Sequence, residues 1–288
     1  MNEPLLRIRD FTLTPVGAAK PAIEDFSLTL ASGGTLILLG ETGSGKGAVL
    51  RALAQPVSRS ARGTIQLRGH PEQPIRHMTA PGLRIAYLPG PHANVLNPHA
   101  SVLSQLALII ARKLRQPKAS ARAELALALE RLPGAPALEA LDHPPALIAP
   151  EVLGAGLLAA AMAQTPDLLL ADDPLGELSP AHARALASAL KAEQKRLGFA
   201  LLYSAARAEA ANLLGGNLVV LRSGHIVEEG PASRLATAQS HAYTQTLFRA
   251  MSAGERQNPD RSAARGEPLL RVQGLQLATR GKPTARAK

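Results

Sequence analysis

TLILLGETGSGKG, residues 35–47, is the stretch from which the fold is read. The apolar run Thr35 to Leu39 reads as a strand, and the stretch from Ala48 to Leu53 as a helix. Between them lie Gly40, four residues, Gly45 and Lys46, the spacing of a phosphate-binding loop. Glycines let the backbone fold around a phosphate with its amides pointing inward. The helix N-terminus adds positive potential, and Lys46 can reach the outer phosphates. The candidate cradle is therefore Gly40, Glu41, Thr42, Gly43, Ser44, Gly45, Lys46 and Gly47. After the lysine such loops carry a Ser or Thr whose hydroxyl coordinates magnesium. Gly47 stands there instead, which removes one metal ligand and costs the first helical turn roughly 1 kcal/mol against alanine.

A second element lies downstream in LLLADDP, Leu168 to Pro174. A short, continuously apolar run ending in two acids is the pattern of a buried parallel strand with carboxylates at its carboxyl end. Beside a phosphate loop, Asp172 could hold magnesium through its waters and Asp173 could orient or deprotonate an attacking water. Taken alone, the same pair reads as two solvated acids at a strand end. Further strands are read at residues 3 to 14, Phe26 to Leu30, Ala200 to Tyr203 and Asn217 to Leu221, with a helix from Pro180 to Leu197. The alternation predicts an α/β fold, a sheet covered by helices. Residues 101 to 141 are rich in Ala and Leu at helical spacing, broken at Pro117 and Pro133, and read as an inserted helical subdomain.

Composition excludes several chemistries. The 288 residues include no cysteine, which rules out thiolate catalysis and thiolate metal sites and fits a reducing compartment. The N-terminus carries charges where a secretory signal would be apolar, and the longest apolar runs, such as Val152 to Ala163, are shorter than the roughly 20 residues a spanning helix needs. Net charge is +10, but about half of that excess lies from Met251 onward, and with 2% aromatics there is no platform for stacking bases, so no nucleic-acid partner is expected. His92 and His99 straddle a proline-rich loop without carboxylate partners, and His70 and His77 flank another. None of them is read as a metal ligand.

Residues 251–266 turn polar and basic and read as a linker. The sequence then starts over: EPLLRVQGLQL, Glu267 to Leu277, closely repeats EPLLRIRDFTL, Glu3 to Leu13. Two similar short strands could arise by chance. A repeat just beyond a complete domain points to a tandem duplication, with residues 267–288 the start of a truncated second copy.

Over residues 4 to 250 the chain resembles the ATP-binding cassette (ABC) proteins, in particular those serving oligopeptide, dipeptide and nickel importers. The resemblance rests on LLGETGSGKG, on LNP at Leu96 to Pro98 and on PDLLLADDP at Pro166 to Pro174. It rests also on SGHIVEEGP at Ser223 to Pro231 and SHAYTQTLFRA at Ser240 to Ala250. It implies a nucleotide-binding domain of the P-loop type over 1–250, with a helical subdomain at about 91–160. It further implies ATP and magnesium as cofactors, membrane permease subunits and a second ATP-binding subunit as partners, and a peripheral place on the cytoplasmic face of the membrane. The family's signature motif falls by spacing on Ala149 to Val152, where the glycine backbone is missing and Glu151 brings a negative charge. The glutamine before LNP aligns with Gly90, the γ-phosphate histidine with Ala206 and the adenine-stacking aromatic with Pro15. The aspartate after the acidic pair aligns with Ser179, and the glutamate base is shortened to Asp173. Together these departures predict a degenerate cassette that binds ATP weakly and hydrolyses it poorly or not at all. An active ATPase energising peptide import, and a decayed cassette without function, stay open as alternatives.

Overall fold

The computed structural model describes residues 4–55, 60–90, 95–176 and 178–256. Its centre is a six-stranded sheet built from β3 (Thr35–Leu39), β6 (Ile85–Pro89), β7 (Leu168–Asp172), β8 (Ala200–Ala205), β9 (Asn217–Arg222) and β10 (His225–Pro231). The order is β10-β9-β3-β8-β7-β6, parallel except for the hairpin β9–β10. A four-stranded antiparallel sheet holds β1 (Pro4–Leu13), β2 (Ile23–Ala31), β4 (Ala61–Leu67) and the short β5 (Gln73–Pro74), in the order β2-β1-β4-β5.

The period of two along β3 explains how the layers assemble. Leu36 and Leu38 face one cluster, shared with the antiparallel sheet and with α1 (Lys46–Ala54). Ile37 and Leu39 face the other, shared with α2 (Val102–Leu114), α4 (Pro150–Ala163) and α5 (Pro180–Leu197). In the same way Leu168 and Leu170 turn toward the first cluster while Leu169 and Ala171 turn toward the second. Both faces of the parallel strands are covered, as their unbroken apolar runs require.

The helical insert comprises α2, α3 (Lys118–Glu130) and α4. Arg115, in the left-handed region at φ 53°, closes α2, and Pro117 caps α3. Helix α4 is apolar nearly all round because it is shared: it packs on α2 and α3 within the insert and also on β6 and α5. The expected end of the insert near residue 160 thus falls inside a helix that belongs to both parts. The helix over Pro180 to Leu197 forms as the spacing predicts. It is followed by α6 (Glu209–Leu214), α7 (Ala232–Thr237) and α8 (Ala242–Arg256).

Met1–Met251 form one compact unit, and Ser252–Lys288 divide off as a second. The linker expected from residue 251 meets a helix instead, since α8 continues to Arg256. Leu247 is buried, and Tyr243, Phe248 and Met251 pack on the larger core cluster, so the apolar stripe of α8 carries it past residue 250. The rest of that linker, 257–266, and the repeat at 267–288 lie outside the described residues.

Candidate nucleotide site

The loop leaves β3 at Leu39, whose neighbours in the sheet are Ala205 and Val220, and so opens at the carboxyl ends of the parallel strands. Open α/β sheets place their ligands there. Two glycines are dictated by space. A Cβ at Gly40 would collide with the Leu221 carbonyl and with Ser44 Oγ, and Gly45 sits at φ 110° with Ile23 against it. The Lys46 ammonium folds back over the loop, donating to Gly40 O at 2.6 Å, Glu41 O at 2.9 Å and Ser44 Oγ at 3.3 Å. Burial pulls its pKa down, against the opposing charges of Asp173, Asp172 and Glu41. A phosphate arriving in the cradle would replace those three oxygens as the partner of the ammonium. Glu41 and Thr42 are exposed, and Glu41 lies beside Tyr243 of α8, where burial and then the Glu41 carboxylate push the phenol up. The Arg222 guanidinium stacks over that ring, 4.8 Å from its centroid.

Sheet register brings the acidic pair to this loop. Asp172 is the last residue of β7, opposite Ser204 on one side and Pro89 on the other. Both of its oxygens accept from the protein: Oδ1 from Ser204 Oγ at 2.6 Å and Oδ2 from the Tyr87 hydroxyl at 2.9 Å. Asp173 turns through the left-handed region at φ 49°. Its Oδ1 accepts from the Tyr203 hydroxyl and its Oδ2 from Ala206 N–H, each at 3.2 Å. Burial pushes the Asp173 carboxyl up, helped by the charge of Asp172 and opposed by Ala206 N–H, the Tyr203 hydroxyl and Arg207. The phenols of Tyr87 and Tyr203 are raised too, by burial first and then by their carboxylate neighbours, so both stay protonated donors. The pair is therefore not a pair of solvated acids; four internal donors engage it.

As a divalent-metal site this donor set does not fit. Position 47 offers no oxygen, and a Cβ built there would meet Arg51 Nη1 at 3.0 Å, Cζ at 3.6 Å and Nη2 at 3.7 Å. A guanidinium thus lies beside the place where a ligand side chain would start, and its charge opposes a second cation. Among the described residues no three His, Asp or Glu side chains converge as a metal site.

The remaining expected positions are dispersed around the fold. Gly90 follows β6 beside the acidic pair, where a Cβ would lie 3.2 Å from the Asp172 carbonyl oxygen and 3.4 Å from that of Asp173. Ala206, just past β8, is exposed. Ser179 caps α5, its hydroxyl 2.9 Å from His182 Nδ1, and Pro15 lies in the exposed loop after β1. Ala149 to Val152 form the start of α4, on the helical insert. Of the histidines, His92 lies outside the described residues.

Sequence reasoning missed four residues of the site: Arg51, Tyr87, Tyr203 and Ser204. Polar residues near the carboxyl ends of apolar strands, in IAYLP and ALLYSA, were the available signal for three of them. For Arg51 the signal was its place four residues after Gly47, the one charged side chain of the helix past Lys46.

Comparison with known proteins places the fold and the family. The family model described as ABC transporter matches residues 23–176. The ABC transporter ATP-binding protein YejF of Escherichia coli is 27% identical over 287 residues, covering 96% of this chain, which spans 54% of YejF. A protein of Brucella abortus named as a peptide import ATP-binding protein is 30% identical over 275 residues, 90% of this chain and 79% of its own length. The phosphonates import ATP-binding protein PhnC of Burkholderia pseudomallei is 27% identical over 262 residues, 88% of this chain and 85% of its own. Among solved structures, a dimeric ATP-binding cassette in a post-hydrolysis state with ADP and Pi superposes with a TM-score of 0.65 at 17% identity. That superposition covers 79% of this chain and 98% of the other, and it establishes the fold, an ABC-type P-loop nucleotide-binding domain. With its glycine loop, its acid-tipped strand and the family match across both, this chain belongs to the ABC transporter ATP-binding proteins.

Proposed function

We propose that the chain is the ATP-binding subunit of an importer of the peptide or nickel type, holding ATP weakly and hydrolysing it poorly or not at all. The observation that carries this reading is the engagement of both acids by internal donors next to a loop whose metal hydroxyl is missing. A positioned general base contributes about 100- to 10,000-fold and one electrostatic donor about 100- to 1,000-fold, so losing either leaves a slow ATPase even though such effects do not add. Gly90, Ala206 and Ala149–Val152 each lack the group that the family uses at that place. The stretch from Ser240 to Ala250 and the Brucella relative's name favour the peptide class over the other import classes.

Docking to membrane permease subunits at the cytoplasmic face draws support from a groove of about 600 Å³ between the sheet and the helical insert. Leu83, Tyr87, Leu106, Ile109 and Lys113 line it, with Val95 at its edge. Ile109 is 42% exposed and Val95 63%, an apolar face open to a partner. No described helix is long and apolar enough to cross a membrane, so in this reading the partner supplies the membrane anchorage. We place the cassette at 1–250 and, from the repeat at Glu267 to Leu277, read it as the first of a tandem pair whose mate, or a separate second subunit, completes the dimer.

A fluorescent ATP analogue titrated into the purified chain and into Lys46→Ala, alongside phosphate release with magnesium and ATP, tests the reading. Binding that is lost in the variant is expected, with phosphate release from the wild type no faster than from Lys46→Ala. Turnover well above the variant would overturn the inactive reading. Absence of binding in both proteins would favour a decayed cassette.

A further inference from the structure

We propose that the Arg51 guanidinium takes the place of the divalent cation in this nucleotide site, so that the loop binds metal-free polyphosphate. The inference rests on the nucleotide-binding reading above. Helix α1 carries Lys46 at its start and Arg51 five residues on, and Arg51 reaches back toward the N-terminus, as helical side chains do. That brings Nη1 to 3.0 Å from where a Cβ would stand at position 47. Glycine leaves this approach open without adjustment, whereas a serine there would bring its Cβ to 3.0 Å from Nη1 and the guanidinium would have to shift. The missing hydroxyl and the approach of Arg51 thus fall at the same place.

The charges also balance. A triphosphate in the cradle needs positive charge beyond one ammonium and the loop amides, and a guanidinium supplies it with five donors in a planar fork suited to phosphate oxygens. Among the described residues nothing accepts a hydrogen bond from Arg51, which is exposed and lines the groove. The Asp172 carboxylate, which in a metal-dependent site would face the cation, is instead satisfied by Tyr87 and Ser204. Arg51 lies close enough to Tyr87 for its charge to act on that phenol.

Calorimetric titration with ATP, once in EDTA and once in excess magnesium, tests this on the wild type, Arg51→Ala, Arg51→Lys and Lys46→Ala. The wild type should bind equally well in both conditions. In EDTA, Arg51→Ala should lose about tenfold or more in affinity, the scale of one charge-assisted hydrogen bond, and Arg51→Lys should recover most of that loss. Since Arg51 is exposed, its variants should melt with the wild type. Wild-type affinity that rises tenfold with magnesium, or wild-type affinity of Arg51→Ala for metal-free ATP, would overturn the proposal. If Lys46→Ala loses binding while Arg51→Ala keeps it, the nucleotide-binding reading stands and this inference alone fails. If the wild type binds no ATP at all, both fall.

Discussion

Asp173 is where the chemistry of the site and the stability of the fold meet. Its carboxyl sits above the usual carboxylate range because burial outweighs its two hydrogen bonds and the charge of Arg207. The sign follows from linkage: between the ordinary value near pH 4 and the raised native one, the folded chain holds the proton more tightly than the unfolded chain. Stability conferred by this group is complete below that window and is lost as pH rises through it. Asp173→Asn keeps an acceptor for Ala206 N–H and removes the titration. Its urea midpoint, relative to the wild type, should therefore climb from about pH 4 upward. A difference that stays constant across the window would show that the carboxyl is not raised. At this scale the sequence was half legible. The loop and the acidic pair are contiguous motifs and could be read directly. Tyr87, Ser204 and Tyr203 reach the acids only through the pairings of Pro89 with Asp172 and of Asp172 with Ser204, and no single strand encodes its register. Arg51 was hidden for another reason, since its approach to position 47 is seen only in three dimensions.

Among the elements, α4 shows how far periodicity carries and where it stops. The parallel strands and α5 were legible because buried runs and a capped amphipathic helix have strong patterns. The sharing of α4 between insert and sheet was not, because a helix apolar on every side gives no face to assign. Its two glycines separate propensity from packing. A Cβ at Gly154 would meet only Leu186 Cδ2 at 3.5 Å, ordinary contact, so Gly154→Ala should stabilise by about 0.5–1 kcal/mol through helix propensity. At Gly156 a Cβ would come to 2.8 and 3.0 Å from the methyls of Leu141, which is fully buried and has little room to yield. Gly156→Val should therefore cost about 1–3 kcal/mol in overpacking. Urea unfolding of both variants checks this pair, and similar midpoints for the two would mean that Leu141 gives way freely. The end of α8 makes the converse point: composition from residue 251 onward reads as linker, but the packing of Tyr243, Leu247, Phe248 and Met251 extends the helix to Arg256.

For the whole molecule the question is assembly. The resemblance implies that two cassettes close on ATP, the phosphate loop of one against the signature helix of the other. By the spacing from Pro166 that helix would be α4, whose N-terminus is poorly made for a phosphate. Ala149 offers no side-chain cap, Pro150 has no N–H to give, and Glu151 adds a full negative charge in the first turn. A helix N-terminus carries roughly half a positive charge, so the carboxylate reverses its sign. Two unit charges about 6 Å apart repel by about 3 kcal/mol at an effective dielectric constant near 20. A backbone donor to phosphate returns about 1.5–3 kcal/mol at best, and Pro150 has removed one such donor. Repulsion of this size offsets what a backbone donor there would return, so ATP is expected not to draw two copies of this chain together. Sedimentation velocity at tens of micromolar, with and without saturating ATP, should give the same mass distribution, whereas Glu151→Ser removes the repulsion and should shift any self-association toward dimer. An ATP-driven dimer of the wild type would mean that the start of α4 can still close over a partner's nucleotide, and an active cassette would then become the better reading.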